Sequence, residues 1–158
     1  MDRKLLEHML TKMKENLKQG KDIGNLKVGA LFALGSQLEA IFYFSGHELG
    51  SKIGSDLPKA EDIEKIAEIL KDVSSEYHLG GFKIDEMSNN HITFTLEDCN
   101  SCKDFPKDFK TEGTFCSFEA GVFAGIVEKI SNKHCFAQEL QCRLQGNVSC
   151  QFMIVIPE

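Results

Sequence analysis

The run Glu139-Leu140-Gln141-Cys142, followed across a short interval by Cys150 and preceded far upstream by Cys116, constrains this chain more than any other feature. Gln145, Gly146 and Asn147 sit at the centre of the interval between the last two cysteines, so a hairpin with that loop sets Cys142 and Cys150 opposite each other. Cross-strand partners have Cβ atoms roughly 4.5–5.5 Å apart, and two sulfurs on one zinc ion at about 2.3 Å lie within about 4 Å of each other. Spacing and chemistry therefore agree on a metal site. In a regular strand Glu139 and Cys142 point to opposite faces, so their joint use requires a bulge or a strand end between them.

Cys116 falls in the first turn of a helix expected from about Phe115 to Ile130, with Thr114 as its cap, where unsatisfied amides favour a thiolate. Four protein ligands close a tetrahedron and leave no open position, so such a site is structural. The alternative is that Cys116, Cys142 and Cys150 are small buried hydrophobes, since free cysteine is among the most buried residue types. His134, Asp98 and Glu119 are fallback donors. Cys99-Asn100-Ser101-Cys102 forms a second thiol pair, able to hold zinc, act as a redox dithiol or stay idle, and with Cys116 it could form a competing zinc set. Cys135 has no evident partner and is read as packing.

Composition narrows the class. The 158 residues are 42% hydrophobic and 27% charged, which suits one globular domain with its own core. A net charge of -6 gives no footprint for nucleic acid, whose binding rests on clustered cations. No apolar run approaches a bilayer span, and the start Met1-Asp2-Arg3-Lys4 lacks a secretory pattern, so the expected location is cytoplasmic. In that compartment, with a thermophile as the main exception, six cysteines read as reduced thiols or ligands before a disulfide framework.

Hydrophobic periodicity predicts helices first and strands later. Leu5, Leu6, Met9, Leu10, Met13 and Leu17 mark an amphipathic helix over about Arg3–Leu17, with a methionine-bearing face suited to a dimer contact or to docking on its own domain. Lys27–Phe32 reads as a short strand or the start of a helix. A helix over Ser36–Ile53 carries Leu38, Ile41, Phe42, Leu49 and Ile53 on overlapping apolar faces. Its Gly46 and Gly50 cost about 1 kcal/mol each relative to Ala, which implies close approach of another backbone or a ligand, or a kink. A third helix runs over about Lys59–Ser75.

From Phe82 the period becomes two. Phe82, Ile84 and Met87, a turn at Ser88-Asn89-Asn90, then Ile92, Phe94 and Leu96 predict a hairpin. Cys99–Lys110, with Pro106, reads as a loop. A second hairpin pairs His134–Arg143 with Val148–Ile156, and a symmetric register sets Leu140 against Phe152 and Phe136 against Ile156. The expected fold is α+β, with N-terminal helices packed on an antiparallel sheet and one helix inserted between two β-hairpins.

The pattern Cys99-x-x-Cys102, Cys116 with Gly121 and Gly125, then Glu139-x-x-Cys142-x-x-x-Gly146-x-x-x-Cys150-x-Phe152 resembles the 4-vinyl reductase domain. Upstream, Phe42-Tyr43-Phe44-Ser45-Gly46-His47-Glu48-Leu49-Gly50 is similar to the family's glycine-bearing helix. The family includes sensor domains of phenol-responsive transcription activators and relatives of TRAPP vesicle-tethering subunits. The resemblance implies an α+β, commonly dimeric small-molecule-binding domain. It also implies structural zinc on Cys116, Glu139, Cys142 and Cys150. Asn147 departs from the aspartate frequent there, which bears on the turn more than on the metal.

Three functions compete. The first is a sensor-type module binding a hydrophobic or aromatic small molecule between helices and sheet. Phe94, Phe105, Phe115, Phe118 and Phe123 would line its pocket, with Tyr43 or His47 as polar contacts. The second is a tetrapyrrole vinyl reductase component, which lacks support: there is no glycine-rich nucleotide loop after a strand and no nucleophile-base pair. The third is a protein-interaction adaptor resembling TRAPP subunits, which a large exposed apolar patch would favour.

Overall fold

The structure is a computed structural model that describes residues 3–20, 29, 33–105, 109–111 and 113–157. It divides into two compact units, residues 1–41 and 42–158. In the first unit, α1 spans Arg3–Lys18 as the periodicity predicts. Leu17 is exposed, and the side chains of Leu5, Leu6, Met9, Leu10 and Met13 lie outside the described ones. The element expected at Lys27–Phe32 and the loop residue Pro106 also lie outside the described residues, apart from Gly29, which is helical. No helix among the described residues is long and apolar enough to cross a membrane.

α2 spans Ser36–Ser55. Its glycines answer the question the sequence posed. A Cβ on Gly46 would strike the carbonyl oxygen of Phe118, and one on Gly50 that of Val122. Both acceptors belong to α4, Ser117–Ser131. In return, Gly121 and Gly125 of α4 admit the carbonyls of Tyr43 and His47. Two backbones thus meet with no side chain between them, a contact that lets Cα–H groups reach carbonyl oxygens. This glycine stripe, and not the aliphatic one, faces α4. Of the residues expected on the apolar face of α2 only Ile53 is buried, while Ile41, Phe42 and Leu49 are more than a third exposed.

α3 is shorter than the periodicity suggests, Ile63–Glu76 and not from Lys59. Asp62 is its N-cap: its backbone is extended, and its carboxylate accepts from the amide of Glu64 at 2.8 Å. Such a cap fixes the first helical residue. α3 buries Ile66, Ala67, Leu70 and Val73.

Four antiparallel strands follow: β1 Gly81–Ser88, β2 His91–Glu97, β3 Phe136–Gln141 and β4 Cys150–Val155, in spatial order β1-β2-β4-β3. The first hairpin turns at the expected asparagines, with a bulge at Asp85 between Ile84 and Glu86. α4 lies between the hairpins in sequence, so the fold is the α+β architecture read from the sequence. The central strands bury Ile92, Phe94, Leu96, Phe152 and Ile154 completely. Phe94 stacks on Phe152 at 5.4 Å and meets Phe123 of α4 edge-on at 4.8 Å, an aromatic core that joins sheet to helix.

The second hairpin departs from the symmetric register. Phe136 pairs with Val155 and Glu139 with Phe152, and the ladder resumes only at Gln141 with Gln151. Leu140 is the extra residue, and it and Phe136 are exposed. The inward positions go to Ala137 and, unexpectedly for a carboxylate, to Glu139, 4% exposed.

Candidate metal centre

That bulge is what brings Glu139 and Cys142 to one place. β3 ends after Gln141, and Cys142 opens a single 3-10 turn, Arg143–Gln145. The turn is held from both sides: the amide of Cys142 donates to Gln145 Oε1 at 2.9 Å, and Asn147 Nδ2 donates to the carbonyl of Cys142 at 3.0 Å. Gly146 closes it at φ 98°, a conformation glycine adopts without penalty. β4 then starts at Cys150, whose sulfur lies 3.4 Å from the amide of Arg143.

Cys116 arrives from the other side. It is the N-cap of α4, and the helix begins one residue later than Cys116, with no role for Thr114 as its cap. The place of a capping side chain is taken by Glu139, whose Oε2 accepts from the amides of Phe115 and Cys116, each at 2.8 Å. A carboxylate at a helix N-terminus is favoured by the dipole. Cys116, Glu139, Cys142 and Cys150 are all buried, and each offers a ligand atom within 4.8 Å of the others.

The CxxC pair joins the same cluster. Cys102 Sγ lies 3.0 Å from Cys116, 3.7 Å from Cys142 and 3.8 Å from Cys150, and Cys99 Sγ lies 3.6 Å from Cys116. Cys116 is 3.6 Å from Cys150 and 4.0 Å from Cys142. Cys99, Cys102, Cys116 and Cys150 form a second set able to hold a metal ion. All six cysteines are free thiols.

The thiols share protons unevenly. Hydrogen bonds from Cys102, then Cys116 and Cys142, draw Cys150 down to about 4. Those from Cys102 and Cys116 draw Cys142 to about 7. Cys116 is pushed above the thiol range by its bonds with Cys102, Cys142, Cys150 and Cys99, which keep it a donor. Burial, and then the charge on Cys142, raise Glu139 to about 9. Burial likewise raises Glu119 against the bond it accepts from Ser101. So many acidic groups in contact cannot ionise together unless a cation shares them.

The donor set fits such a cation. Glu139 Oε1 is buried and has no hydrogen-bond partner, although Oε2 has two. An unpaired buried oxygen among thiols is available as a fourth donor to a metal ion. The edges of a tetrahedron of sulfurs about a zinc-sized ion are roughly 3.8 Å for bonds of about 2.3 Å, close to the 3.6 and 4.0 Å that separate Cys116 from Cys150 and Cys142. Thiolates with one carboxylate suit a borderline-soft dication and disfavour magnesium or calcium.

The family model of the vinyl-4-reductase domain matches residues 92–156, the stretch that carries all five clustered thiols and Glu139. The uncharacterized protein MJ0150 of Methanocaldococcus jannaschii is 30% identical over 172 residues, covering 100% of this chain and 95% of that one. The chain belongs to the vinyl-4-reductase domain family. Solved structures with a similar fold include a vinyl-4-reductase family protein from Methanocaldococcus jannaschii, at TM-score 0.56 and 24% identity over 98% of this chain and 94% of that one. The phenol-responsive sensory domain of the transcription activator PoxR, solved with phenol, gives 0.60 and 13% over 75% and 64%. A trafficking protein particle complex subunit 3 from Naegleria fowleri, covalently bound to palmitic acid, gives 0.62 and 14% over 98% and 93%.

In this vinyl-4-reductase domain the residues expected around a ligand fall into separate groups. Phe94 and Phe123 are fully buried in the aromatic core. Tyr43 and His47 lie on α2, where the Tyr43 hydroxyl accepts from the amide of Ala137 and His47 lies 3.5 Å from Glu128. Phe118 supplies the carbonyl that meets Gly46. Phe105 and Phe115 pack edge to face at 5.1 Å, and Phe105 meets Phe109 at 5.0 Å.

Phe105 and Phe109, but not Phe115, border a cavity of about 260 Å³ lined also by Cys102, Lys110, Arg143 and Leu144 among others. Phe109, Lys110 and Arg143 were not singled out by the sequence; their only signal was proximity to Cys102 and Cys142. A larger groove of about 470 Å³, between Lys71, Ser75 and the start of β1, contains none of the expected site residues. Of the fallback donors, His134 and Asp98 are exposed and paired with Glu128 and Arg143. Glu119 is buried beside the cluster. Cys135 packs against Ser131 and the Lys133 carbonyl, clear of the other thiols.

Proposed function

We propose that this chain is a zinc-stabilised, non-catalytic small-molecule-binding module of the sensor type, acting in the cytoplasm on a hydrophobic or aromatic ligand. The observation that carries the reading is that the thiol cluster and an aromatic-walled cavity meet at Cys102. Cys102 lines both, and Arg143 and Leu144 follow directly on Cys142. Zinc belongs on Cys116, Glu139, Cys142 and Cys150, where it supplies strong ligand bonds without an open position for water or substrate. These residues then tie the start of α4 to the ends of β3 and β4 and hold one wall of the cavity.

The cavity suits a small ring lying against Phe105 and Phe109, with a polar substituent towards Lys110 or Arg143. Few polar groups in an apolar site are what orients such a ligand. Support also comes from the fold, which is shared with a phenol-bound sensory domain and a palmitate-bound subunit. Phenol is therefore the first probe. Calorimetric titration of zinc-loaded protein is expected to show saturable binding, weakened at least tenfold by Phe105→Ala with Tm retained. Equal binding to both proteins, or none to either, would rule out the cavity as the ligand site.

A second reading, an interaction adaptor or homodimer, is favoured by the exposed Phe42, Phe44 and Leu49 along α2. Light scattering across a concentration series tests it: a dimer dissociated by Phe44→Glu is the expected outcome.

A further inference from the structure

We propose that the cluster holds two metal ions bridged by Cys116 and Cys150, with Cys99 and Cys102 completing the second site. The inference rests on the zinc reading above and extends it. Two four-donor sets are present, Cys116/Glu139/Cys142/Cys150 and Cys99/Cys102/Cys116/Cys150, and they share two thiols. Two four-coordinate ions that share a pair of bridging thiolates require six donors between them. Five thiols and one carboxylate are gathered here.

The shared pair lies where bridges belong: Cys116 and Cys150 are 3.6 Å apart, Cys116 lies 3.6 Å from Cys99 and 4.0 Å from Cys142, and Cys150 lies 3.8 Å from Cys102. The CxxC segment is anchored and not an idle loop. Its turn is closed by the amides of Cys102 and Lys103, both donating to the carbonyl of Cys99 at 2.9 Å. Asn100 donates to the carbonyl of Leu79 at 3.0 Å, and the Ser101 hydroxyl donates to Glu119 of α4. These bonds direct both sulfurs inward, leaving Cys99 and Cys102 1% exposed.

Charge does not oppose the second ion. A dication entering between two thiols releases their two protons, so the net charge of the buried cluster is unchanged, whereas an added uncompensated charge would carry a heavy desolvation penalty. Cys102 and Cys142, 3.7 Å apart, become terminal ligands of different ions and must separate on filling.

Cobalt(II) titration of the full chain, stripped of metal under reducing conditions, tests this. Thiolate-bridged high-spin cobalt ions couple antiferromagnetically. The expected result is sulfur-to-cobalt absorption that rises to two equivalents, while the electron paramagnetic resonance signal rises to one equivalent and then falls towards loss. Cys99→Ser/Cys102→Ser is expected to stop at one equivalent with its signal kept, and Cys135→Ser to behave as wild type. Native mass spectrometry of zinc-loaded wild type, expected to show two ions, needs no variant to fold. Saturation at one ion overturns the bridged pair and leaves the single-zinc reading standing. A second ion with undiminished resonance signal marks an unbridged site and also overturns it. No bound ion overturns both readings.

Discussion

Glu139 is the residue on which the site turns. It occupies an inward sheet position that an aliphatic side chain would ordinarily fill, one oxygen capping α4 and the other without a protein partner. Its folded-state value of about 9, against 4.5 ordinarily, makes a signed prediction for metal-free protein. Between those values the folded chain keeps a proton that the unfolded chain has lost, so this group's contribution to stability falls as pH rises through the window. Glu139→Gln removes that contribution. The Tm difference between variant and wild type, both metal-free, is expected to move in favour of the variant from pH 5 to pH 9, and a difference independent of pH would contradict the assignment. That Cys116, Glu139, Cys142 and Cys150 come together was legible, because a hairpin sets two thiols opposite each other with a carboxylate three residues before one of them, and the family resemblance names the same four. Cys99 and Cys102 were read only as an alternative set with Cys116, and that both sets gather at once was not legible, because the bonds that place the CxxC turn, through Leu79 and Glu119, are long-range.

At the scale of elements, the glycines of α2 were the best-read feature and the second hairpin the worst. Gly46 and Gly50 implied close approach, and α4 makes it. The symmetric register failed because the sequence offers Leu140 and Glu139 in adjacent positions and hydrophobicity alone assigns the inward place to leucine. The amides of Phe115 and Cys116 reverse that choice by binding the carboxylate. Gly50→Ala separates propensity from packing. In an open helix it would stabilise by about 1 kcal/mol. Here the new methyl meets the Val122 carbonyl, and overpacking of about 1–3 kcal/mol is expected instead. Thermal unfolding should show a Tm lowered by several degrees, and a raised Tm would mean that the helices are not in backbone contact.

At the scale of the molecule, the sheet and α4 share an aromatic core, whereas the junction of α4, the CxxC turn and the second hairpin is built of thiols. Metal binding at such a junction is folding free energy, so chelation is expected to lower Tm and to expose the cavity wall while the strands persist. Helices first and strands later were legible from periodicity, as was the antiparallel pairing within each hairpin. The order β1-β2-β4-β3 was not, because nothing local states that β4 sits between β2 and β3. The most direct test of the metal centre is metal per chain in untagged protein, purified under reducing conditions and dialysed against a weak chelator, for wild type and Cys142→Ser. Tightly held zinc in the wild type, lost together with several degrees of Tm in the variant, is the predicted result. A wild type that carries no metal and presents six titratable thiols on unfolding, with Cys142→Ser equally stable, would contradict it.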